Sequence, residues 1–145
     1  MPTVQDVLLT KGSTVYSTDP QASVLEAVQS MNQHKLGALV VMDGEQVVGI
    51  FTERDVLRRV VGEGRNPRST SVGLVMTNEV ICVPPDTDIE EVSTIMQQRR
   101  VRHLPVCDDN GQLHGMISIG DVNAFYASHQ EARLSFLNDY IFGRS

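Results

Sequence analysis

The chain has 145 residues, of which 41% are hydrophobic and 21% charged, and its formal net charge is -6 at pH 7. A chain of this length can bury a hydrophobic core without disulfide bonds or structural metals. Its net negative charge argues against nonspecific binding of nucleic acid. The first residues lack the basic and apolar pattern of a targeting signal and no run approaches the ~18 apolar residues of a membrane span, so we expect a soluble, cytoplasmic protein with no membrane contact.

An internal repeat is the main organisational feature of the sequence. Residues 23–43 align with residues 88–108 at a constant offset of 65. After one extra residue in the second turn, residues 46–56 align with residues 112–122. A repeat of this kind predicts two related structural units that bury their apolar faces together.

Each repeat is predicted to begin with an amphipathic helix. A capping residue is followed at the three-residue spacing of a capping box by a glutamate, in the pairs Ser23–Glu26 and Asp88–Glu91. Apolar residues then recur at the spacing of one helix face. They are Val24, Ala27, Val28 and Met31 in the first repeat and Ile89, Val92 and Met96 in the second.

Two short apolar runs after each of these helices predict a β-hairpin, because each pair of runs flanks a turn signal. The runs are residues 38–42 and 47–51 around Asp43 and Gly44, and residues 103–107 and 113–118 around Asn110 and Gly111. Pro105 has no N–H for a strand ladder, so it predicts an edge position or a strand end.

A second helix is predicted after each hairpin, over residues 53–62 and from about residue 121 to residue 141. The predicted buried face of the first of these helices contains Val56, Leu57, Val60 and Val61, and Gly62 is expected to end it. The aromatic residues beyond Val122 suit either the chain's own core or a protein interface.

The predicted organisation is therefore an α+β fold of two repeats, each with the order strand, helix, strand, strand, helix. We expect the repeats to pack sheet to sheet about a pseudo-twofold axis, leaving two related clefts. The predicted boundaries are residues 8–62 for the first repeat, 63–74 for a polar linker, 75–126 for the second repeat and 127–145 for a helical extension.

Both second helices begin with a hydroxyl residue and an aspartate three residues later, Thr52 with Asp55 and Ser118 with Asp121. A single pair would be interpreted as a helix cap. However, a capping box usually has Glu or Gln at its last position, and a helix N-terminus also suits a phosphate group. The duplication therefore favours a ligand-binding role.

These features resemble the CBS-domain pair, the regulatory Bateman module. The resemblance covers roughly residues 8–126. It is carried by the repeat length, by Asp19-Pro20 and Pro85-Asp86 before the first helices, by RHLPV at residues 102–106, and by the Gly-h-h-[ST]-x-x-Asp segments at residues 49–55 and 115–121.

The resemblance implies a non-catalytic regulator that binds AMP, ADP, ATP, NAD or S-adenosylmethionine in a cleft between the repeats. It places Thr52 and Ser118 on phosphate or ribose, and Asp55 and Asp121 on the ribose hydroxyls. An aspartate can accept both vicinal hydroxyls. CBS pairs commonly associate, so the resemblance also implies a homodimer, formed through the CBS helices, and a regulated protein partner.

Basic residues before the strand at 103–107 make the second repeat the better phosphate site, because guanidinium groups bind phosphate in a bidentate fork. Arg100, Arg102 and His103 are the candidates there, with Lys35 as the weaker counterpart in the first repeat. Arg54 suits either a phosphate or a surface ion pair. The adenine is expected among aliphatic residues and strand backbone. The candidates are Val15, Tyr16 and Ala38 for the first site, and Val80, Cys82, Leu104 and Pro105 for the second.

Two other functions stay open at this point. The chain could be a ligand-independent interaction adaptor whose motifs only cap helices, or a redox-linked regulator that uses Cys82 and Cys107. Both thiols are expected to be free and buried in apolar runs. The scattered histidines lack acidic partners at ligand spacing, so no metal site is expected, and Ser118 lacks the surroundings of a catalytic nucleophile.

Overall fold

The computed structural model describes residues 2–12 and 14–128. The strands are β1 (Ser17–Thr18), β2 (Ala38–Asp43), β3 (Gln46–Thr52), β4 (His103–Cys107) and β5 (Leu113–Ser118). The α-helices are α1 (Val4–Lys11), α2 (Val24–His34), α3 (Glu53–Asp55), α4 (Val72–Val75), α5 (Ile89–Arg99) and α6 (Ile119–Ala127). A π-helix, Val56–Val61, directly continues α3.

The described residues form two compact units, and neither is a continuous stretch of chain. Residues 14–81 and 111–113 form the first-repeat unit. Residues 2–12, 82–110 and 114–128 form the second-repeat unit. The α+β character and the two-repeat architecture predicted from the sequence are confirmed, but α1, which lies before and at the start of the predicted first repeat, belongs to the unit of the second.

The first-repeat unit is built on a three-stranded sheet in the order β1-β2-β3. Strand β1 runs parallel to β2, and β2 is antiparallel to β3 with Ala38 opposite Thr52. Helix α2 buries the predicted positions Val24, Ala27 and Met31 against this sheet. This apolar contact keeps the end of β3, and with it Thr52, at a defined place.

The second-repeat unit has a two-stranded sheet, β4-β5, whose bounds match the predicted runs. The first strand predicted for this repeat is replaced by a single parallel bridge between Val83 and Val106. The carbonyl of Pro105 accepts the N–H of Val83 at 3.0 Å. Because the sheet has only two strands, Pro105 lies in an edge strand, as its missing donor predicts, and only its carbonyl takes part in the bridge.

The apolar face predicted for residues 53–62 is wrong at two positions. Val60 is buried, but Leu57 and Val61 are 65% and 67% exposed. The reason is the π-helical winding, in which the N–H of Gly62 reaches the carbonyl of Leu57 at 2.8 Å. A five-residue hydrogen bond changes the angular spacing of the side chains from that of an α-helix.

Several local predictions need correction because partners distant in the chain replace local ones. Asp88 lies at the N-cap of α5 but its side chain makes no capping hydrogen bond, and the first helical N–H, from Ile89, donates instead to the carbonyl of Pro2. Gly62 ends the helix as predicted, being the C-cap of the π-helix, although its φ of -62° is not the left-handed conformation of a usual glycine cap. Cys82 is exposed, whereas Cys107 is buried as expected.

Two helices were not predicted at all. Helix α1 has a complete capping box of Thr3 and Asp6, and α4 lies at the end of the polar linker. The second helix of the second repeat begins at Ile119 and ends at Ala127. Its predicted continuation to residue 141, and the predicted extension over residues 129–145, lie outside the described residues.

Candidate functional site

Both duplicated hydroxyl–aspartate pairs form complete capping boxes where a strand passes into a helix. At the end of β5, the Ser118 N–H donates to Asp121 Oδ2 at 2.8 Å and the Asp121 N–H donates to Ser118 Oγ at 3.1 Å. At the end of β3, the corresponding distances between Thr52 and Asp55 are 3.0 and 3.2 Å. Aspartate therefore completes the capping box at both motifs, although glutamate or glutamine is the usual residue at this position.

The Asp55 carboxylate is enclosed by donors of its own unit. Asp55 is 5% exposed, and its Oδ2 accepts from both the N–H and the hydroxyl of Thr52. Its Oδ1 accepts the Thr77 hydroxyl at 2.9 Å and lies 3.8 Å from Arg59 Nε. A carboxylate has about four acceptor positions, and here three hydrogen bonds and one ion pair already engage both of its oxygens.

The Asp121 carboxylate is more accessible and less fully occupied. Its Oδ2 accepts the Ser118 N–H and also the ammonium group of Lys11, at 2.7 Å. The side chains of Lys11 and Asp121 are 34% and 22% exposed. Among residues 2–12 and 14–128, nothing donates to Asp121 Oδ1, so this oxygen is available to a ligand.

Arg102 and His103, at the start of β4, belong to the same end of the second-repeat unit as Asp121. The Arg102 carbonyl accepts the N–H of Ile119 at 2.8 Å, which ties the start of β4 to the first turn of α6. Burial lowers the pKa of His103, the charge of Asp121 raises it, and the charges of Arg102 and Lys11 lower it further. The net effect is a pKa below the ordinary value, so the imidazole is neutral at neutral pH.

The remaining predicted site residues are distributed as follows. Leu104 and Pro105 are buried in β4, and Cys82 is exposed, with its Sγ 2.9 Å from that of Cys107. Arg100 and Lys35 are the left-handed C-cap residues of α5 and α2. Tyr16 stacks on His34 with 3.9 Å between ring centroids. Exposed Arg54, buried Ala38, and half-buried Val15 and Val80 also lie in the first-repeat unit.

Sequence reasoning missed Arg59, which follows the first motif in the chain and lies 3.8 Å from Asp55. It also missed Lys11 and Thr77, which contact the motif aspartates from distant segments. Lys11 and Thr77 each come from the start of one repeat but pack in the unit of the other. Lys11 also donates to the carbonyl of Met116 at 2.8 Å, and Thr77 exchanges two backbone hydrogen bonds with Ile50, both 2.9 Å. Ile50 and Met116 are equivalent positions of the repeat, so Lys11 and Thr77 play corresponding parts.

The motif glycines make room for these two segments. A Cβ atom on Gly115 would lie 2.8 Å from Leu8 Cδ2, and one on Gly49 would lie 2.5 Å from Met76 Sδ and 2.9 Å from the Thr77 carbonyl oxygen. Glycine at the start of each Gly-h-h-[ST]-x-x-Asp segment therefore permits the close approach that brings Lys11 and Thr77 to the aspartates.

The sequence model of the CBS domain family matches this chain twice, at residues 4–62 and at residues 72–128. The chain belongs to the CBS-domain family. It is 42% identical to the CBS domain-containing protein CBSX3, mitochondrial, of Arabidopsis thaliana over 97% of this chain and 72% of the relative. The crystal structure of the CBS-domain containing protein ATU1752 from Agrobacterium tumefaciens is 41% identical, with a TM-score of 0.78 over 83% of this chain and 96% of that one.

A more distant neighbour shows the same fold with ligands bound. It is the CBS domain pair of protein MJ0100 in complex with 5'-methylthioadenosine and S-adenosyl-L-methionine, which is 21% identical, with a TM-score of 0.80 over 89% of this chain and 98% of that one. Within the described part of this chain, no helix is long and apolar enough to cross a membrane. The same residues contain no group of three or more His, Cys, Asp or Glu side chains placed to hold a metal ion.

Proposed function

We propose that this CBS-domain protein is a non-catalytic regulator that binds an adenosine nucleotide at the Ser118–Asp121 motif of the second-repeat unit. AMP is the ligand we favour, with ADP, ATP, NAD and S-adenosylmethionine as relatives of the same chemistry. The observation that carries this proposal is the accessible Asp121 carboxylate, whose Oδ1 has no donor among the described residues.

The chemistry of this motif suits a ribose with a phosphate. Asp121 is an acceptor-only group that can take hydrogen bonds from two neighbouring hydroxyls. Arg102 is half-buried, and its guanidinium makes no hydrogen bond or ion pair with the described residues, so it can bind a phosphate. The methylthioadenosine and S-adenosylmethionine complex of the MJ0100 domain pair supports an adenosine ligand for this fold.

The two copies of the motif are proposed to differ in function. Asp55 needs its internal partners because a buried carboxylate without donors is costly. A ribose at Asp55 would have to displace Thr77 or Thr52 from it, whereas a ribose at Asp121 has a vacant acceptor. We therefore assign ligand binding to Asp121 and a structural role to Asp55.

Regulation would follow from linkage between ligand and conformation. A ligand that binds one arrangement of the chain better than another shifts the population toward it by the difference in binding free energy. A protein partner that contacts this arrangement then responds to the nucleotide. Because Lys11 ties α1 to Asp121, α1 is the element whose position a ligand would change most directly.

The thermal midpoint of unfolding tests this proposal. Millimolar AMP should raise the midpoint of the wild-type protein, because a ligand bound only to the native state stabilises it. Asp121→Asn should remove the rise. Asp6→Asn is the matched control, since Asp6 completes the capping box of α1 in the same way, and it should keep the rise. If none of the five adenosine ligands shifts the wild-type midpoint, the proposal is wrong.

A homodimer formed through the CBS helices is part of the proposal. Leu57, Val61 and Leu74 are large apolar side chains on the π-helix and α4, and all are more than half exposed. The π-helix and α4 contact each other, and exposed apolar side chains that form one patch mark an interaction surface. Leu57→Glu should convert a dimer into monomer in sedimentation velocity, and a monomeric wild type would contradict this part.

A redox-linked regulator is the second candidate, because the Sγ atoms of Cys82 and Cys107 lie 2.9 Å apart. Burial, with the hydrogen bond to Cys82, raises the pKa of Cys107 to about 12, so Cys107 remains a thiol. Cys82 is exposed and would react first. If oxidation by hydrogen peroxide leaves the AMP response the same in the wild type and in the Cys82→Ser, Cys107→Ser double variant, this candidate is excluded.

A further inference from the structure

The two motif aspartates differ in the residue that reaches them from the preceding segment. In the first-repeat unit this residue is Thr77, which is short and neutral, and its hydroxyl binds Asp55 Oδ1. In the second-repeat unit it is Lys11, which is long and charged, and its ammonium group binds Asp121 Oδ2. The preceding segment therefore supplies a cation to Asp121 but not to Asp55, whose ion-pair partner, Arg59, follows the motif in the chain and lies at 3.8 Å.

We propose that Lys11 is a specificity-determining residue, whose ammonium group turns from Asp121 to a phosphate of the ligand and so selects phosphorylated adenosine over uncharged adenosine or a cationic sulfonium. This inference rests on the proposed function, because it names the ligand class of the same site. Three observations carry it: the position of Lys11, its hydrogen-bonding capacity, and the charge balance around Asp121.

Lys11 is held where it can serve both partners. Its ammonium group donates to Asp121 Oδ2 at 2.7 Å and to the Met116 carbonyl at 2.8 Å. A lysine ammonium has three donors, so one donor remains for a ligand while the Met116 contact is kept. With 34% of its side chain exposed and a flexible four-carbon stem, Lys11 can turn without unpacking the core.

The charges around Asp121 are unbalanced in favour of an anion. Lys11 and Arg102 each carry one positive charge, and Asp121 carries one negative charge. His103, on which all three act electrostatically, stays neutral because burial lowers its pKa. These three side chains therefore carry a net charge of one positive unit, which an anionic phosphate would balance.

A neutral ligand leaves this charge imbalance unchanged, a cationic ligand increases it, and an anionic ligand reduces it. A ribose hydroxyl that donates to the vacant Asp121 Oδ1 draws on the same carboxylate charge that holds Lys11 at Oδ2, and so weakens the ion pair of Lys11 without displacing it. A phosphate restores a partner to the ammonium group through a charge-assisted hydrogen bond. Adenosine offers no such partner, and the sulfonium of S-adenosylmethionine adds a further positive charge, so both ligands should bind less tightly than AMP.

The test is a set of titration calorimetry experiments with AMP, adenosine and S-adenosylmethionine. A hydrogen bond between charged groups corresponds to roughly 10- to 100-fold in affinity, so the wild type should prefer AMP over adenosine by that factor. Lys11→Gln should reduce the preference by at least about threefold, with Arg102 supplying the preference that remains, and Lys11→Arg should keep it. Arg65→Gln removes an exposed charge of the first-repeat unit and should also keep it.

The outcomes separate this inference from the proposed function. If the wild type binds adenosine as tightly as AMP, or if Lys11→Gln weakens both ligands equally, charge selection by Lys11 is wrong and nucleotide binding stands. If no adenosine ligand binds the wild type, the proposed function itself fails. The melting temperature of each variant, measured without ligand, shows whether it is folded, and Lys11→Arg gives a second reading if Lys11→Gln is not.

Discussion

Thr77→Val should destabilise the first-repeat unit measurably, although it removes a single oxygen atom. The Thr77 hydroxyl donates to Asp55 Oδ1 at 2.9 Å, and Asp55 is 5% exposed. Valine has nearly the same shape as threonine but leaves that oxygen, among residues 2–12 and 14–128, with no donor closer than Arg59 Nε at 3.8 Å. The buried carboxylate therefore loses a partner without gaining access to water.

The expected magnitude follows from the value of hydrogen bonds to charged groups, about 1.5–3 kcal/mol. Because Arg59 can move closer to Asp55 and recover part of the loss, we expect about 2 kcal/mol. Urea unfolding followed by circular dichroism measures this change in the free energy of unfolding. Thr94→Val is the control, since its hydroxyl donates to the Glu90 carbonyl on an exposed face of α5 and its loss should cost less than ~0.5 kcal/mol.

A loss for Thr77→Val that is no larger than the loss for Thr94→Val would refute the reasoning. Asp55 would then not depend on its enclosure, and its carboxylate would be as available to a ligand as that of Asp121. The assignment of ligand binding to the second copy of the motif alone would have to be withdrawn.

Two further predictions concern the same local geometry. Gly49→Ala should lower the free energy of unfolding by roughly 1–3 kcal/mol, because the new Cβ would overlap the backbone of Thr77. Gly115→Ala should lower it less, because there the new Cβ meets only the end of the Leu8 side chain, and equal losses in urea unfolding would contradict this. Nuclear magnetic resonance titration should give His103 a pKa below 6.5, which Lys11→Gln raises and Asp121→Asn lowers. Because the pKa of His103 is lower in the folded than in the unfolded chain, the unfolded chain takes up this proton at a higher pH. The contribution of His103 to stability should therefore be present above pH 6.5 and be lost on acidification.

The sheets and the first helix of each repeat were predictable because their signals are local. The alternation and turn residues of 103–107 and 113–118 correspond to β4 and β5 at both ends. The apolar spacing from Val24 to Met31 identified the buried face of α2, because a regular α-helix keeps that spacing. The spacing of an α-helix did not predict the burial of Leu57 and Val61, because these residues lie in a π-helix that no sequence pattern indicated.

The partners of the candidate site were not predictable for a different reason. Ser118 and Asp121 are neighbours in the chain, so their spacing alone indicated a shared role. Lys11 lies 110 positions from Asp121 in the sequence, and the two meet because α1 packs in the second-repeat unit. Only the capping spacing of Thr3 and Asp6 signals the existence of α1, and nothing in that signal indicates where α1 packs.

The most direct measurement is a calorimetric titration of AMP into protein that has been stripped of copurified nucleotide. Binding at Asp121, with Asp55 enclosed, should give a single site per chain that disappears in Asp121→Asn and persists in Asp6→Asn. Absence of binding heat in the wild type, or binding of the same affinity in Asp121→Asn, would contradict nucleotide recognition by the second copy of the motif.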